Sequence, residues 1–249
     1  MQGTHTASYL HFVADFLSGS KRYMDEDKRL YATMLYYNLY QERIDKTELK
    51  EMGMYQALAL LHDDRYRYFK QEAAEIVSYL LSHLEITTTP LGPEVLPCIE
   101  LYGCYTREEI FTLVGRQTEE KRMSGSVSGV FNLPEYDATL LFVTLNKSDK
   151  DFSPSMQYDD YVINKDYFHW QSKNTDSHHN RGGRIYTEQP QRHNKIVLFV
   201  REEKKDGFGN TCPFHCFGLV DYVSSHGDFP MNITWRLEKP VMPQYLKVV

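Results

Sequence analysis

A run of rings followed directly by polar side chains is the part of this sequence best suited to binding chemistry. Four rings stand at 167–170 and four hydrogen-bonding side chains at 171–174: Tyr167, Phe168, His169, Trp170, Gln171, Ser172, Lys173 and Asn174. Aromatic faces beside amide and hydroxyl groups are suited to holding a planar, hydrogen-bonding ligand such as a nucleobase. We therefore predict that Trp170, with Phe168 on the same strand face, stacks on a base. The alternative is an ordinary core tryptophan.

A second group of polar rings and carboxylates precedes this run, at 158–161. Asp and Tyr oxygens accept hydrogen bonds from exocyclic amines such as cytosine N4, although Asp is also common in turns. Both interpretations stay open. The predicted pocket for a base comprises Trp170, Phe168, Tyr161, Asp159, Asp160, Gln171, Ser172 and Asn174.

Residues 165–201 carry a local excess of positive charge. Seven Lys and Arg face three Asp and Glu there, 7 − 3 = +4, whereas the whole chain carries −6. Such a segment, with Gly182 and Gly183 inside it, can approach a phosphate backbone; a solvated loop is the alternative. The predicted contacts to a DNA backbone are Asn146, Lys147, Lys150, Lys173, Arg181, Arg184 and Arg192.

Patterns for metal or hydrolytic chemistry are weaker. Cys212, His215 and Cys216 lie close in sequence, but structural zinc usually takes two ligand pairs, so we predict no metal site. We also predict no cofactor and no catalytic residue. A magnesium-dependent nuclease using Asp176, Glu202 and Lys204 is kept as an alternative, because carboxylates hold the ion in such enzymes. A protein-interaction module that does not bind DNA is a further alternative.

Composition limits the class of protein. A chain of 249 residues makes one large domain or two small ones, and its net charge of −6 excludes a uniformly basic nucleic-acid binder. Four cysteines are too few for a disulfide scaffold of this size. Neither a secretory leader nor an apolar run of about 18 residues is evident. We expect a cytoplasmic protein that does not span a membrane.

Apolar spacing changes along the chain. It is helical from about residue 7 to 84, and a segment rich in proline follows at 87–97. Beyond it, a short helix is predicted after Thr106. About six β-rich runs are separated by turn residues and by two long polar loops at 146–160 and 173–194. The runs are 129–133, 139–145, 167–171, 195–201, 214–223 and 232–237. We therefore predict an α+β protein, with an N-terminal helical bundle as a connector at 1–97 and a curled antiparallel β-barrel at 98–249.

Several ordered motifs carry a family resemblance. They are LYG at 101–103, YTREEI at 105–110, LFVTLNKS at 141–148, YDDY at 158–161, FHWQS at 168–172, KIVLFVR at 195–201 and WRLE at 235–238. The sequence from about 99 to 246 resembles the uncharacterised C-terminal domain that follows superfamily-II helicase modules, often behind a phospholipase-D-type nuclease. Type IV restriction enzymes of the SauUSI kind are similar.

This resemblance implies a target-recognition domain of a modification-dependent restriction system in phage defence. Such a domain is expected to resemble PUA- and SRA-like barrels and to recognise 5-methylcytosine or 5-hydroxymethylcytosine by base flipping. The implied partners are double-stranded DNA and the helicase and nuclease domains of a parent chain. Helicase and nuclease motifs are missing from this sequence, so neither activity is carried over.

Overall fold

The chain forms two compact units. The computed structural model describes residues 6–123, 128–146 and 159–246, and the units comprise residues 1–125 and 126–249. The sequence places a domain boundary at residue 97, whereas residues 98–123 lie within the first unit. Hydrogen bonds from Tyr37 Oη to the Thr118 carbonyl (2.7 Å) and from Asn38 Nδ2 to Glu109 Oε1 (3.3 Å) attach this segment to a helix.

The first unit is mainly helical, with short strands after the helices. Its helices are α1 (Ala7–Leu17), α2 (Arg29–Tyr40), α3 (Met54–Ala59), α4 (Arg67–Ser82) and α5 (Arg107–Leu113), and its strands are β1 (Thr89–Pro90), β2 (Glu100–Leu101) and β3 (Cys104–Tyr105). None of the helices in the described ranges combines the length and the apolarity needed to cross a bilayer.

Local sequence accounts for these helices. The apolar residues of α1 recur at helical spacing and are buried. Helix α5 begins with the predicted capping box: Thr106 Oγ1 accepts from the Glu109 N–H (3.2 Å), and the Thr106 N–H donates to Glu109 Oε2 (2.7 Å).

Helix α4 differs from the prediction. Its apolar residues were expected to form a core-facing stripe, but only Val77 is fully buried. Tyr68, Phe69, Ile76 and Tyr79 are exposed. The helix packs on α1, so one narrow side is covered and an apolar surface stays open within the described part of the chain.

The second unit is built on an open mixed sheet. Its strands are β4 (Val130–Leu133), β5 (Ala138–Asn146), β6 (Tyr161–Asn164), β7 (Tyr167–Gln171), β8 (Lys195–Glu203), β9 (Phe214–His226) and β10 (Asn232–Leu237), in the spatial order β4-β5-β8-β9-β10-β7-β6.

The predicted antiparallel barrel is therefore wrong in two respects. Strands β5 and β8 pair in parallel, and the sheet does not close, because β4 and β6 end the order on opposite sides. The central parallel strands are buried on both faces, which is typical of parallel pairing. N-terminal helices before a large sheet agree with the α+β prediction.

The predicted loop at 173–194 contains two short helices. Helix α6 (Arg181–Thr187) is capped by Asn180, whose Oδ1 accepts from the Gly183 N–H at 3.0 Å. Helix α7 (Gln189–Arg192) follows at once. Both contact β9, which places this basic segment against the sheet.

Candidate DNA-recognition surface

One end of the sheet gathers most of the predicted pocket residues. There β7 ends, β10 begins and β9 ends, with Gln171 opposite Asn232 and Asn232 opposite His226. Residues 172–180 leave β7 and run along the turn that joins β9 to β10. The Phe229 N–H donates to the Asp176 carbonyl at 3.0 Å, which fixes the two segments side by side.

Gln171, Asp159 and Asp160 form a hydrogen-bonded network at this end. Gln171 Oε1 accepts from the Asp159 N–H (2.8 Å), and Gln171 Nε2 donates to Asn232 Oδ1 (2.9 Å). The Gln171 N–H donates to the buried Asp160 carboxylate (2.8 Å). The side chains of Gln171 and Asp160 thus hold strands together, while the Asp159 side chain stays exposed.

Ser172 has a structural role of the same kind. It is fully buried, its Oγ accepts from the Met231 N–H (3.0 Å), and its own N–H donates to the Met231 carbonyl (3.0 Å). Asn174 is exposed two residues later. The pocket prediction therefore mixes buried structural groups with exposed ones.

Trp170 and Phe168 lie in the core. Trp170 is 4% exposed, and its ring lies 5.0 Å from the Tyr186 ring and 6.3 Å from the Trp235 ring. Phe168 is completely buried. The prediction that Trp170 stacks on a base does not fit this geometry, because the Trp170 ring packs α6 on the sheet and the Phe168 ring packs against Phe217 on β9. The alternative of a core tryptophan fits.

Tyr161 offers the accessible ring among the predicted pocket residues. It is 41% exposed on the edge strand β6, and its ring stacks on the His169 imidazole at 4.6 Å with an interplanar angle of 13°. His169 is held in turn, because its Nδ1 lies 2.7 Å from the Asp159 carbonyl. A planar ligand laid on the outer face of Tyr161 would extend an existing stack.

A chain of hydrogen bonds, which the sequence did not predict, crosses from β9 to the 172–180 segment. The Asp228 carboxylate lies 2.8 Å from the His178 N–H and 2.9 Å from His178 Nδ1. Because a carboxylate only accepts, Nδ1 donates to it, and in the neutral ring Nε2 accepts from Ser225 Oγ at 2.7 Å. The Ser225 hydroxyl lies 2.7 Å from Tyr222 Oη.

This chain favours the ionised form of the Asp228 carboxylate. The backbone and ring N–H groups of His178 lower the pKa of Asp228. A serine, histidine and aspartate in this order also occur in acyl-transfer enzymes. Here the chain joins the end of β9 to the 172–180 segment, and we interpret it as a lock on their relative position. Its sequence signal is slight, since Ser225 and Asp228 are separated from His178 by some fifty positions.

We call the exposed and half-exposed residues around this lock the His178 surface. They are Lys173, His178, His179, Arg181, Ser225, His226, Asp228 and Phe229.

Charge pairing reduces the basic excess predicted for 165–201. Arg184 and Arg192 both face Glu188, with Arg192 Nη2 2.5 Å from its carboxylate. Arg201 is buried and donates to Thr144 Oγ1. Lys165 forms an ion pair with Asp166, and Lys195 donates to the Tyr136 carbonyl.

Lys173 and Arg181 are different, because neither contacts a carboxylate of the described residues. Both belong to the His178 surface, and Arg181 is exposed in the first turn of α6. Gly182 and Gly183 follow, and Gly183 is buried where a Cβ would clash with the Ser177 carbonyl and lie 2.5 Å from Met231 Sδ. The glycine therefore serves close packing of α6 on the 228–231 turn.

Other predicted residues lie elsewhere. Lys147 and Lys150 are outside the described residues. Asn146 is exposed and pairs with Glu203 at the end of β8. This end of β8 lies near the start of β9, because Val200 of β8 pairs with His215 of β9. Since β9 ends at His226, about 35 Å separates the two ends along the strand.

The same geometry separates the residues of the nuclease alternative. Glu202 lies at the start of β9, whereas Asp176 lies beside Phe229 at its end. Asp176 is buried, and its Oδ2 accepts from Tyr186 Oη at 3.3 Å. Within the described ranges, no group of three His, Cys, Asp or Glu side chains is arranged to hold a metal ion.

Two members of the Cys212, His215 and Cys216 pattern make other contacts in the fold. Burial raises the pKa of the Cys216 thiol to about 12, and His215 Nδ1 lies 2.6 Å from Tyr245 Oη.

Comparison with known proteins gives one family. No curated protein matches this chain. A solved structure of Arabidopsis thaliana SUVH6, crystallised in complex with SAM, aligns with a TM-score of 0.38 and 15% identity, covering 96% of this chain and 41% of that chain. This chain thus spans less than half the length of that structure. The model of the family described as "Domain of unknown function (DUF3427)" matches residues 99–248, more than half of the sequence, and the chain belongs to this family.

Proposed function

We propose that the second unit binds duplex DNA through the His178 surface and recognises a modified cytosine, either 5-methylcytosine or 5-hydroxymethylcytosine, that has been flipped out of the helix. The observation that carries the proposal is the position of Lys173 and Arg181. These two cations, without a described carboxylate partner, stand at the sheet end that also presents exposed rings. The sequence resemblance to target-recognition domains supports the same function.

Each step of recognition has a residue that suits it. Lys173 and Arg181 contact phosphates and release counterions. Extruding a base costs a few kcal/mol of stacking and pairing, and stacking on an aromatic ring recovers about 1–3 kcal/mol. Tyr161 supplies that ring in place of Trp170. It lies on the sheet face opposite to Ser225, because it pairs with His169, so the flipped base passes the end of β7 to reach it. The exposed Asp159 carboxylate, at the start of β6, accepts from the cytosine amino group.

Discrimination by the modification itself is modest. Burying one methyl group is worth about 0.8 kcal/mol, which corresponds to about a fourfold difference in affinity. A hydroxymethyl group adds a donor and an acceptor, which a polar pocket distinguishes from a methyl group more strongly than a methyl group from hydrogen.

The proposal also assigns a place in a larger system. We infer that this chain works as a binding module without catalytic activity of its own, beside the helicase and nuclease domains of a type IV restriction enzyme. The first unit then serves as the connector. The exposed apolar side chains of α4 are the part of it most suited to packing against another domain.

The decisive experiment is fluorescence anisotropy of the chain with matched duplexes that carry cytosine, 5-methylcytosine or 5-hydroxymethylcytosine at one salt concentration. We expect tighter binding to a modified duplex. Tyr161→Ala is expected to remove that preference, whereas Tyr161→Phe keeps the ring and is the matched control.

Equal binding to all three duplexes would leave a protein that contacts only the DNA backbone and would remove Tyr161 from the site. Absence of binding to any duplex would favour the protein-interaction module instead.

A further inference from the structure

Phe229 is a large apolar side chain held in solvent by a firmly attached turn. It is 61% exposed. Hydrogen bonds from three of its residues hold this turn to the 172–178 segment. Asp228 bonds to His178, the Phe229 N–H to the Asp176 carbonyl, and Met231 to Ser172. The backbone that carries the exposed ring is thus fixed in position, while most of the ring stays in contact with water.

The backbone of Phe229 adds a second observation. Its φ is +59°, in the left-handed region that is rare for bulky side chains and is usually given to glycine. A conformation of this kind is strained and clusters at functional sites. Glycine would relieve the strain, so the presence of a phenyl ring here indicates a use for the ring.

The surroundings of Phe229 identify the class of partner. Lys173, His179 and Arg181 lie in or next to the segment to which its turn is hydrogen-bonded, and cations beside an exposed apolar ring are what DNA-deforming proteins use to open a base step.

A second exposed phenylalanine provides a contrast within the same unit. Phe208 is 94% exposed at the tip of the β8–β9 hairpin, where Asp206 fixes the turn by accepting from the Phe208 and Asn210 N–H groups. Three acidic residues and two lysines precede it in the sequence, at 202–206. That balance of charge does not suit a phosphate backbone.

We propose that Phe229 enters the base stack of duplex DNA and fills the space of the nucleotide that is flipped out. This inference rests on the proposed function, since it assigns to Phe229 the part of displacing the base rather than binding it. The attached turn keeps the ring beside the segment that carries Lys173 and Arg181, and these two side chains hold the DNA backbone.

The test uses duplexes with 2-aminopurine next to the target cytosine, because its fluorescence rises when stacking is lost. Wild type, Phe229→Ala and Phe208→Ala are compared on a matched duplex and on one whose target cytosine is mispaired. We expect Phe229→Ala to lose the fluorescence rise and roughly tenfold in affinity on the matched duplex. On the mispaired duplex the loss shrinks to about threefold or less, because opening is easier there. Phe208→Ala is expected to match the wild type.

Each other result overturns the inference in a distinguishable way. If Phe229→Ala behaves as the wild type on both duplexes, the ring does not enter the stack, while DNA binding stands. If it loses affinity equally on both, its role is a general contact or the shape of the turn. Wild-type protein that binds neither duplex removes the proposed function together with this inference. Urea denaturation of the variants shows whether they are folded.

Discussion

The indole ring of Trp170 meets the phenol ring of Tyr186 edge to face, 5.0 Å apart at 78°. This contact joins β7 to α6, so both the sheet and the segment that carries Arg181 depend on it.

The first prediction concerns Trp170 itself. Because the ring is buried, Trp170→Ala is expected to lower the free energy of unfolding by about 3–5 kcal/mol, as measured by urea denaturation. Trp170→Phe keeps part of the contact and should lose less. A Trp170→Ala variant that is as stable as the wild type but no longer binds DNA would return Trp170 to the base-binding site.

A pH dependence follows from Asp228. Its pKa is lowered in the folded state by the His178 N–H groups, so it contributes stability above its unfolded pKa of about 3.9, and this contribution is lost as the pH falls through the folded pKa. We expect the difference in urea midpoint between wild type and Asp228→Asn to be present at pH 6 and to shrink below about pH 4. A difference that stays constant down to pH 2 would show that the carboxylate does not titrate with folding.

The hydroxyl of Ser225 is expected to be chemically unreactive. A Ser–His–Asp order alone does not make a nucleophile, because acyl transfer also requires donors placed around the developing oxyanion. A fluorophosphonate probe should leave the protein unlabelled under conditions that label a known serine hydrolase completely. Labelling that disappears in both Ser225→Ala and His178→Ala would identify the lock as a catalytic group.

The salt dependence of DNA binding distinguishes cations that contact a carboxylate from those without a carboxylate partner among the described residues. Lys173→Ala and Arg181→Ala are each expected to reduce the slope of log K against log salt concentration by about 0.9. Arg192→Ala is the control, because that guanidinium is held by Glu188. If Arg192→Ala changes the slope as much as the other two, the pair opens on DNA and Arg192 is a backbone contact as well.

Close packing of α6 is tested at Gly183. A Cβ there would clash with the Ser177 carbonyl and Met231, so Gly183→Ala is expected to destabilise the protein by about 1–3 kcal/mol. Gly207→Ala is the matched control, since no atom lies within 4 Å of its added Cβ. Equal thermal melts for the two variants would show that the 228–231 turn moves freely away from α6.

Strand positions were predictable where the side-chain pattern is strong. The run at 167–171 and the run at 232–237 match β7 and β10. Strand β6 was missed because Tyr161–Asn164 is mostly exposed and has no apolar alternation. The direction of pairing was missed too, although the uninterrupted apolar runs of β5 and β8 carried a signal: strands that are buried on both faces favour a parallel arrangement.

The site was only partly predictable. Residue types predicted a binding region at the end of β7, but they did not show that Trp170 faces the core while Tyr161 faces solvent. Arg184 and Arg192 pair with Glu188 because α6 and α7 bring them to it. The sequence had favoured a loop in this segment, which contains two adjacent glycines. Ser225 and Asp228 join His178 only through the β9–β10 turn, a contact that no local pattern encodes.

The parallel pairing of β5 with β8 has a consequence for synthesis. Residues 147–194 leave the ribosome before β8, β9 and β10 exist, and β7 pairs only with β10 and β6. The β6–β7 hairpin must therefore wait for its place in the sheet until about residue 237 has been made. The His178 surface therefore assembles last, and a chain interrupted before β10 would have its parallel strands in place but no strand to join β7 to β9.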